Sequence, residues 1–216
     1  MHKAIAVIQF KLEGQLIKNH PEYGMDGRCF FDKVDFGRGV INIGGKEYEL
    51  RDKSFPTVDV SDPLKLSREE SELVRILQSS FRHSGRLRQH IKFIYDHGGM
   101  YRKINGNLLY HGCIPLDDDG SFREITLPFA DCAGKTFHGK ALLDRIEQEV
   151  RSAYFSPNGT KEQKEAADFM WYLWCGADSP LYGKDKMAFF ERTFLGKEAA
   201  ELCTEHYEPY YSHTND

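Results

Sequence analysis

An α+β fold, rich in helix and carrying β-hairpins, is predicted by three features of the 216-residue sequence. Extended runs meet at Gly44-Gly45 and again at Asn105-Gly106, residues that accept the positive φ of a tight hairpin turn. Ser67 with Glu70, and Thr160 with Gln163, have the spacing of capping boxes, each ahead of an apolar run with helical period. Hydrophobic residues make up 40% of the chain and charged residues 29%, a balance that favours a packed core over disorder.

The first helix is read over about Lys3–Asn19, where Ile5, Ile8, Leu12 and Leu16 recur on one face and Pro21 follows as a stop. Gly14 weakens it by about 1 kcal/mol relative to alanine. Val40–Ile43 and Glu47–Leu50 form the first hairpin, and Phe55 to Pro63 is a loop. From Ser67 a helix bearing Leu73, Ile76 and Leu77 runs to about Arg82. Ser84 caps another, which bears Leu87, Ile91 and Ile94 and ends at Gly98-Gly99. The short link between these two helices predicts an antiparallel pair. Met100–Ile104 and Asn107–Tyr110 form the second hairpin, which feeds directly into His111-Gly112-Cys113-Ile114-Pro115.

Leu142, Leu143, Ile146 and Val150 predict a helix over about Lys140–Tyr154, and Ala166, Ala167, Met170 and Leu173 a second one opening at Thr160. Ser179–Asp185 reads as a loop and Met187–Phe194 as a short helix. By content the chain divides into 1–99, a helical and hairpin insert or cap; 100–138, a hairpin and strand end; and 139–216, a helical region with a candidate phosphate-binding loop.

Composition excludes several classes of function. The net charge of −4 argues against a general nucleic-acid coat, which needs a basic surface to displace counterions. The longest apolar run, Phe169–Cys175, is far short of the ~20 residues of a membrane span, and the first residues do not read as a signal peptide. The five cysteines include no C-x-x-C pair, which disfavours a disulfide framework or a zinc ribbon and favours reduced thiols in the cytoplasm. Neither nucleic acid nor membrane is expected as a partner.

Two stretches could carry chemistry. His111 ends a strand and is followed by glycine, which leaves room for a ligand or metal; by residue type alone a histidine bonded to a backbone carbonyl is the favoured reading. Cys113 beside it raises a Cys–His reading, disfavoured by the glycine between them. His83, His90 and His97 recur every seventh residue, roughly 10 Å apart along a helix, too far to share one metal. Asp117-Asp118-Asp119 lacks the alternate spacing and closing glutamate of a calcium loop and reads as a solvated turn. The second stretch, Trp174–Arg192, combines glycine, serine, Lys184 and Lys186 in a loop with Arg192 beyond it, groups suited to a sugar phosphate. By composition alone, a turn with a solvated charged face fits better. Trp171, Tyr172 and Trp174 read as core rather than as a stacking platform.

Gly106–Pro115 closely resembles a segment of the class III fructose-1,6-bisphosphatases of bacteria. So do Leu173–Gly176, Ser179–Met187 and Phe190–Arg192, and the opening His2–Gly14 is similar to an internal helix of that family. The resemblance covers nearly the whole chain. It implies a piece of a calcineurin-like metallophosphoesterase, an α/β sandwich with two divalent metals, manganese by expectation, at its strand ends. The intact enzyme would hydrolyse the 1-phosphate of fructose 1,6-bisphosphate, yielding fructose 6-phosphate and phosphate in gluconeogenesis.

Of the family's metal-binding blocks, the lone histidine alone has a match, at His111. The D-x-H, G-D-x-x-D-R, G-N-H and G-H-x-[HP] blocks are absent from the sequence. The resemblance therefore implies an internal fragment, inactive alone, whose partners are the missing N- and C-terminal segments of the same enzyme. Lys184, Lys186 and Arg192 are carried over as candidates for substrate phosphate. No general base is assigned, and a homo-oligomer is left open. The alternatives are a non-catalytic cap, regulatory or assembly module, or an unrelated soluble domain that would seal His111 in an apolar core.

Overall fold

The structure, a computed structural model, describes residues 2–176, 178–181 and 190–202. Among them the elements run α1 (His2–Asn19), β1 (Val34–Asp35), β2 (Val40–Ile43), β3 (Lys46–Glu49), α2 (Arg68–His83), α3 (Gly85–His97), β4 (Tyr101–Ile104), β5 (Asn107–Tyr110), α4 (Gly139–Phe155), α5 (Lys161–Cys175) and α6 (Lys197–Leu202), with short 3-10 turns between. The fold is α+β, as the turns and caps predict. By contact it separates into two compact units: residues 2–83 with 190–202, and residues 84–176 with 178–181. The helices α2 and α3, expected as a pair, fall in different units.

In the first unit β1, β2 and β3 form an antiparallel sheet in that order. The β2–β3 turn is Gly44-Gly45 alone, with φ of 60° and 84°, so Lys46 already belongs to the strand. The core gathers on α1, but not on the expected face. Ile5 and Leu12 are exposed, and the buried side is Ala6, Val7, Phe10, Lys11, Glu13, Gly14 and Ile17. Aromatic packing explains the rotation: Phe10 stacks on Phe30 at 4.4 Å and meets Phe31 and Phe194 at 5.8 Å. Gly14 lies under Leu64, whose Cδ2 would stand 2.4 Å from an added Cβ.

The core is closed by a segment remote in sequence. Arg51 donates its backbone N–H to the Phe194 carbonyl at 2.8 Å, and Leu50 bridges Leu195. Phe194 is fully buried. The short helix read over Met187–Phe194 is a single 3-10 turn, Glu191–Thr193, in its described part, and Met187–Phe189 lie outside the described residues.

The Ser67–Glu70 box forms as expected: the Glu70 N–H donates to Ser67 Oγ at 3.2 Å, and the Ser67 N–H donates to Glu70 Oε2 at 2.7 Å. The same carboxylate also accepts from Lys11 Nζ at 2.7 Å, and that ammonium donates to the Thr57 carbonyl at 2.7 Å. Lys11 is wholly buried, at 0% exposure. Burial alone would raise the Glu70 pKa, but the bonds from Lys11, Thr57 and Ser67 outweigh it and hold the carboxyl below its ordinary 4.5.

In the second unit β4 and β5 pair antiparallel through Asn105-Gly106, whose φ values are 52° and 81°. Ser84 caps α3 by accepting from the Leu87 N–H at 3.3 Å. Thr160 caps α5 by accepting from the Gln163 N–H at 3.2 Å, but Gln163 reaches back to the Gly159 N–H rather than to that of the cap. The helices α4 and α5 pack on each other, burying Leu142, Leu143, Ile146, Ala166, Phe169, Tyr172 and Leu173. Ala167 and Met170, expected inside, are exposed. Glu147 on α4 accepts from the Met100 N–H, and Arg151 donates to the Tyr95 carbonyl, both at 3.1 Å. These bonds tie α3 and the start of the hairpin to α4.

Removing one partner of a buried ion pair strands the other charge in a low dielectric. Glu70→Ala is expected to cost about 3–5 kcal/mol in urea unfolding, while Lys11→Met with Glu70→Leu stays near wild type. Because the folded carboxyl titrates below its ordinary value, the contribution of Glu70 is present above pH 4.5 and lost as pH falls below it. The double variant should lack that acid-dependent loss. A single variant costing under ~1 kcal/mol would contradict the pair's role.

Candidate functional site

His111 is placed by the end of β5. The strand's last residue, Tyr110, pairs with Tyr101, and the backbone bends at His111 and Gly112. The imidazole is exposed, so the structure does not support an apolar-core role for it. It has no hydrogen-bond partner among the described residues. The bland reading, a histidine bonded to a backbone carbonyl, is therefore not the arrangement found.

The bend is set by Gly112. Its φ is 85°, in the left-handed region, and an added Cβ would lie 2.2 Å from the Pro180 carbonyl oxygen and 3.0 Å from Leu181 Cα. Only glycine fits there. The next residue, Cys113, donates its N–H to the same Pro180 oxygen at 2.9 Å, and its thiol sits 3.4 Å from that oxygen. Cys113, Pro115 and Pro180 are fully buried. Cys113 is thus a packed thiol with its hydrogen directed at a carbonyl, not a nucleophile beside His111.

Pro180 is held from the other side by Ser179, itself fully buried. Ser179 Oγ donates to the Leu173 carbonyl at 2.5 Å, one of the open carbonyls at the end of α5, and accepts from the Leu181 N–H at 3.2 Å. Gly176 lies against the Tyr172 ring, whose Cε2 would be 2.5 Å from a Cβ there. Burial first, and Asp178 second, push the Tyr172 phenol up to about 12, so it stays neutral and packs as core. Trp174 is 51% exposed and Trp171 half-buried, so of the three aromatics Tyr172 alone is core. Arg123 and Asp178 add an ion pair at 3.4 Å beside the junction.

The two stretches singled out in the sequence therefore meet: Gly106–Pro115 seats its glycine and cysteine on Ser179-Pro180-Leu181. Arg192 is exposed on the Glu191–Thr193 turn, in the first unit. Lys184 and Lys186 lie outside the described residues. His83 donates from Nδ1 to the Ser79 carbonyl at 2.7 Å, within its own helix turn, and His97 leans on Phe93. Asp119 caps its own turn at Ser121. The structural role of Ser179 was missed by sequence reasoning; a serine closing a helix end just before proline was the available signal.

No group of three or more histidine, cysteine or carboxylate side chains among the described residues could hold a metal. Hollows of about 1090 and 490 Å³ lie in the second unit along Gly98-Gly99 and α4, and neither is lined by His111 or by Asp178–Leu181. Among the described residues, the junction presents one exposed imidazole. No helix of the described residues is long and apolar enough to cross a membrane.

Residues 1–216 match the family model described as Firmicute fructose-1,6-bisphosphatase. The chain is 46% identical over 216 residues to the fructose-1,6-bisphosphatase class 3 of Clostridium novyi. It is 47% identical over 215 residues to that of Bacteroides fragilis and 47% identical over 219 residues to that of Clostridium acetobutylicum. In each case all of this chain aligns, and it spans 31% of the relative's length. No solved structure gives a significant match.

The close approach at Gly112 can be separated from its backbone angle. Gly106→Ala carries the same left-handed strain in open space and should cost about 1–3 kcal/mol in urea unfolding. Gly112→Ala should cost a further ~1–3 kcal/mol, because the Pro180 backbone must move. Equal losses would rule out the close approach.

Proposed function

The chain belongs to the Firmicute fructose-1,6-bisphosphatase family, and on that footing we propose that it is the part of a class III fructose-1,6-bisphosphatase that brings His111 to a divalent-metal centre. The supporting observation is an exposed imidazole with no partner among the described residues, held on a junction where Gly112 and Cys113 are locked to Pro180. A ligand must be neutral, accessible and fixed in direction, and this histidine's surroundings serve the last two needs.

The metal does not fit this chain by itself. A catalytic divalent site takes at least three protein ligands, and the described residues offer no such cluster. The other donors are assigned to the polypeptide of the relatives that this chain does not span, so no catalytic step is derived within it. In the assembled enzyme the ion is manganese, the substrate fructose 1,6-bisphosphate and the setting the cytoplasm. Arg192, exposed on its turn, is a weaker candidate to offer a bidentate guanidinium to a substrate phosphate, with Lys184 and Lys186 as further cations.

The purified 216-residue chain should release no phosphate from fructose 1,6-bisphosphate with manganese present. Robust metal-dependent release would overturn the assignment of the remaining donors elsewhere. When this chain replaces the matched stretch of the Clostridium novyi enzyme, His111→Ala should lower phosphate release at least about tenfold without changing the melting temperature. Full activity in that variant would remove His111 from the centre.

A further inference from the structure

The helix α2 has a segregated surface that the described residues of its own unit leave uncovered. Leu73, Ile76, Leu77 and Phe81 lie at i, i+3, i+4 and i+8, one stripe along the helix, while Arg68, Arg75, Ser79 and Arg82 occupy the opposite side. The four apolar side chains are 41%, 51%, 48% and 66% exposed. The one buried residue of α2 is Glu70, in its first turn. A helix of 16 residues usually owes its stability to tertiary packing of its apolar face, and here, beyond Glu70, Val74 alone is as much as half-buried.

We propose that this stripe is the surface on which the remaining polypeptide of the fructose-1,6-bisphosphatase docks. The proposal rests on the family reading above. It commits to that occupant because the whole chain aligns with relatives of which it spans 31%, so most of their length is polypeptide this chain would have to meet. Scattered exposed leucines need no explanation, but four large apolar side chains in register on one helix form a contiguous ridge of the kind that marks a protein interface. The chemistry that fits is an apolar helix or sheet face with no buried charge. The site residue His111 is not part of this surface, so docking and metal ligation can be tested separately.

The test introduces Leu73→Lys with Leu77→Lys into two proteins: the 216-residue chain, and the Clostridium novyi enzyme with this chain in place of its matched stretch. In the isolated chain the pair replaces solvent-facing side chains, and the melting temperature should stay within about 2 °C of wild type. In the chimera it should fall by about 5 °C or more, because two ammonium groups would be buried against the partner surface. A fall of the same size in both proteins, or in neither, would overturn the docking surface. Sedimentation of the isolated chain distinguishes a second copy: a dimer dissolved by the double substitution would assign the stripe to self-association and overturn the proposal. An unsubstituted chimera that is not a soluble, cooperatively melting protein would overturn the docking surface and leave the family membership, which rests on the match over residues 1–216, untouched.

Discussion

The carbonyl of Pro180 is the point on which the candidate site depends. It accepts the Cys113 N–H, lies against the Cys113 thiol and leaves no room for a side chain at residue 112. Three consequences follow from that single contact. The strand β5 cannot continue straight, so the chain bends at His111. The residue after the bend must be glycine, because an L side chain would meet both the left-handed φ and the carbonyl. And the imidazole, one residue before this fixed point, projects from backbone that can move little. Ser179 holds the carbonyl in place by bonding the open end of α5, so the direction of His111 is traceable through Cys113, Pro180 and Ser179 to a helix terminus.

The first unit is organised by a different kind of constraint. A lysine with no exposure is tolerable only if its charge and its donors are met, and Lys11 meets them with the Glu70 carboxylate and the Thr57 carbonyl. The pair links α1 to the start of α2 across 59 residues. An apolar pair of similar volume could stabilise that contact as well, so its value lies elsewhere. Glu70 is at once the partner of Lys11 and half of the capping box at Ser67, which fixes where α2 begins as well as what it touches. Hydrophobic contact, which has no direction, would not specify the helix start in this way.

What was legible in the sequence is what local physics decides. Asn105-Gly106 and Gly44-Gly45 make their turns because two consecutive positive φ values are needed and few residues supply them. Ser67, Ser84 and Thr160 cap because their oxygens reach an N–H three residues on. The buried face of α1 was not legible, since Ile5 and Leu12 are more apolar than Lys11, Glu13 and Gly14, yet the latter three are inside. The aromatic cluster that turns the helix includes Phe194, about 180 residues away, and no window of local sequence contains it. At the site, the strand end and the glycine were visible. The reason for the glycine was not, because the atom that requires it belongs to Pro180.

These observations give one account of a chain that folds yet presents unfinished surfaces. Each unit closes its own core by recruiting a distant segment, Phe194 and Leu195 onto Leu50 and Arg51 in one, and Pro180 onto Cys113 in the other. Against that internal completeness stand the exposed ridge of α2 and the hairpin β4–β5, where Ile104, Leu108 and Leu109 are all exposed. A domain evolved to stand in water would replace such side chains at little cost to its core, because they contribute nothing to it. The same holds for His111, whose rigid support exceeds what a solvent-facing histidine needs. A supported imidazole and an unpartnered apolar ridge, in a chain spanning 31% of its relatives' length, are features whose use lies in contact with more polypeptide.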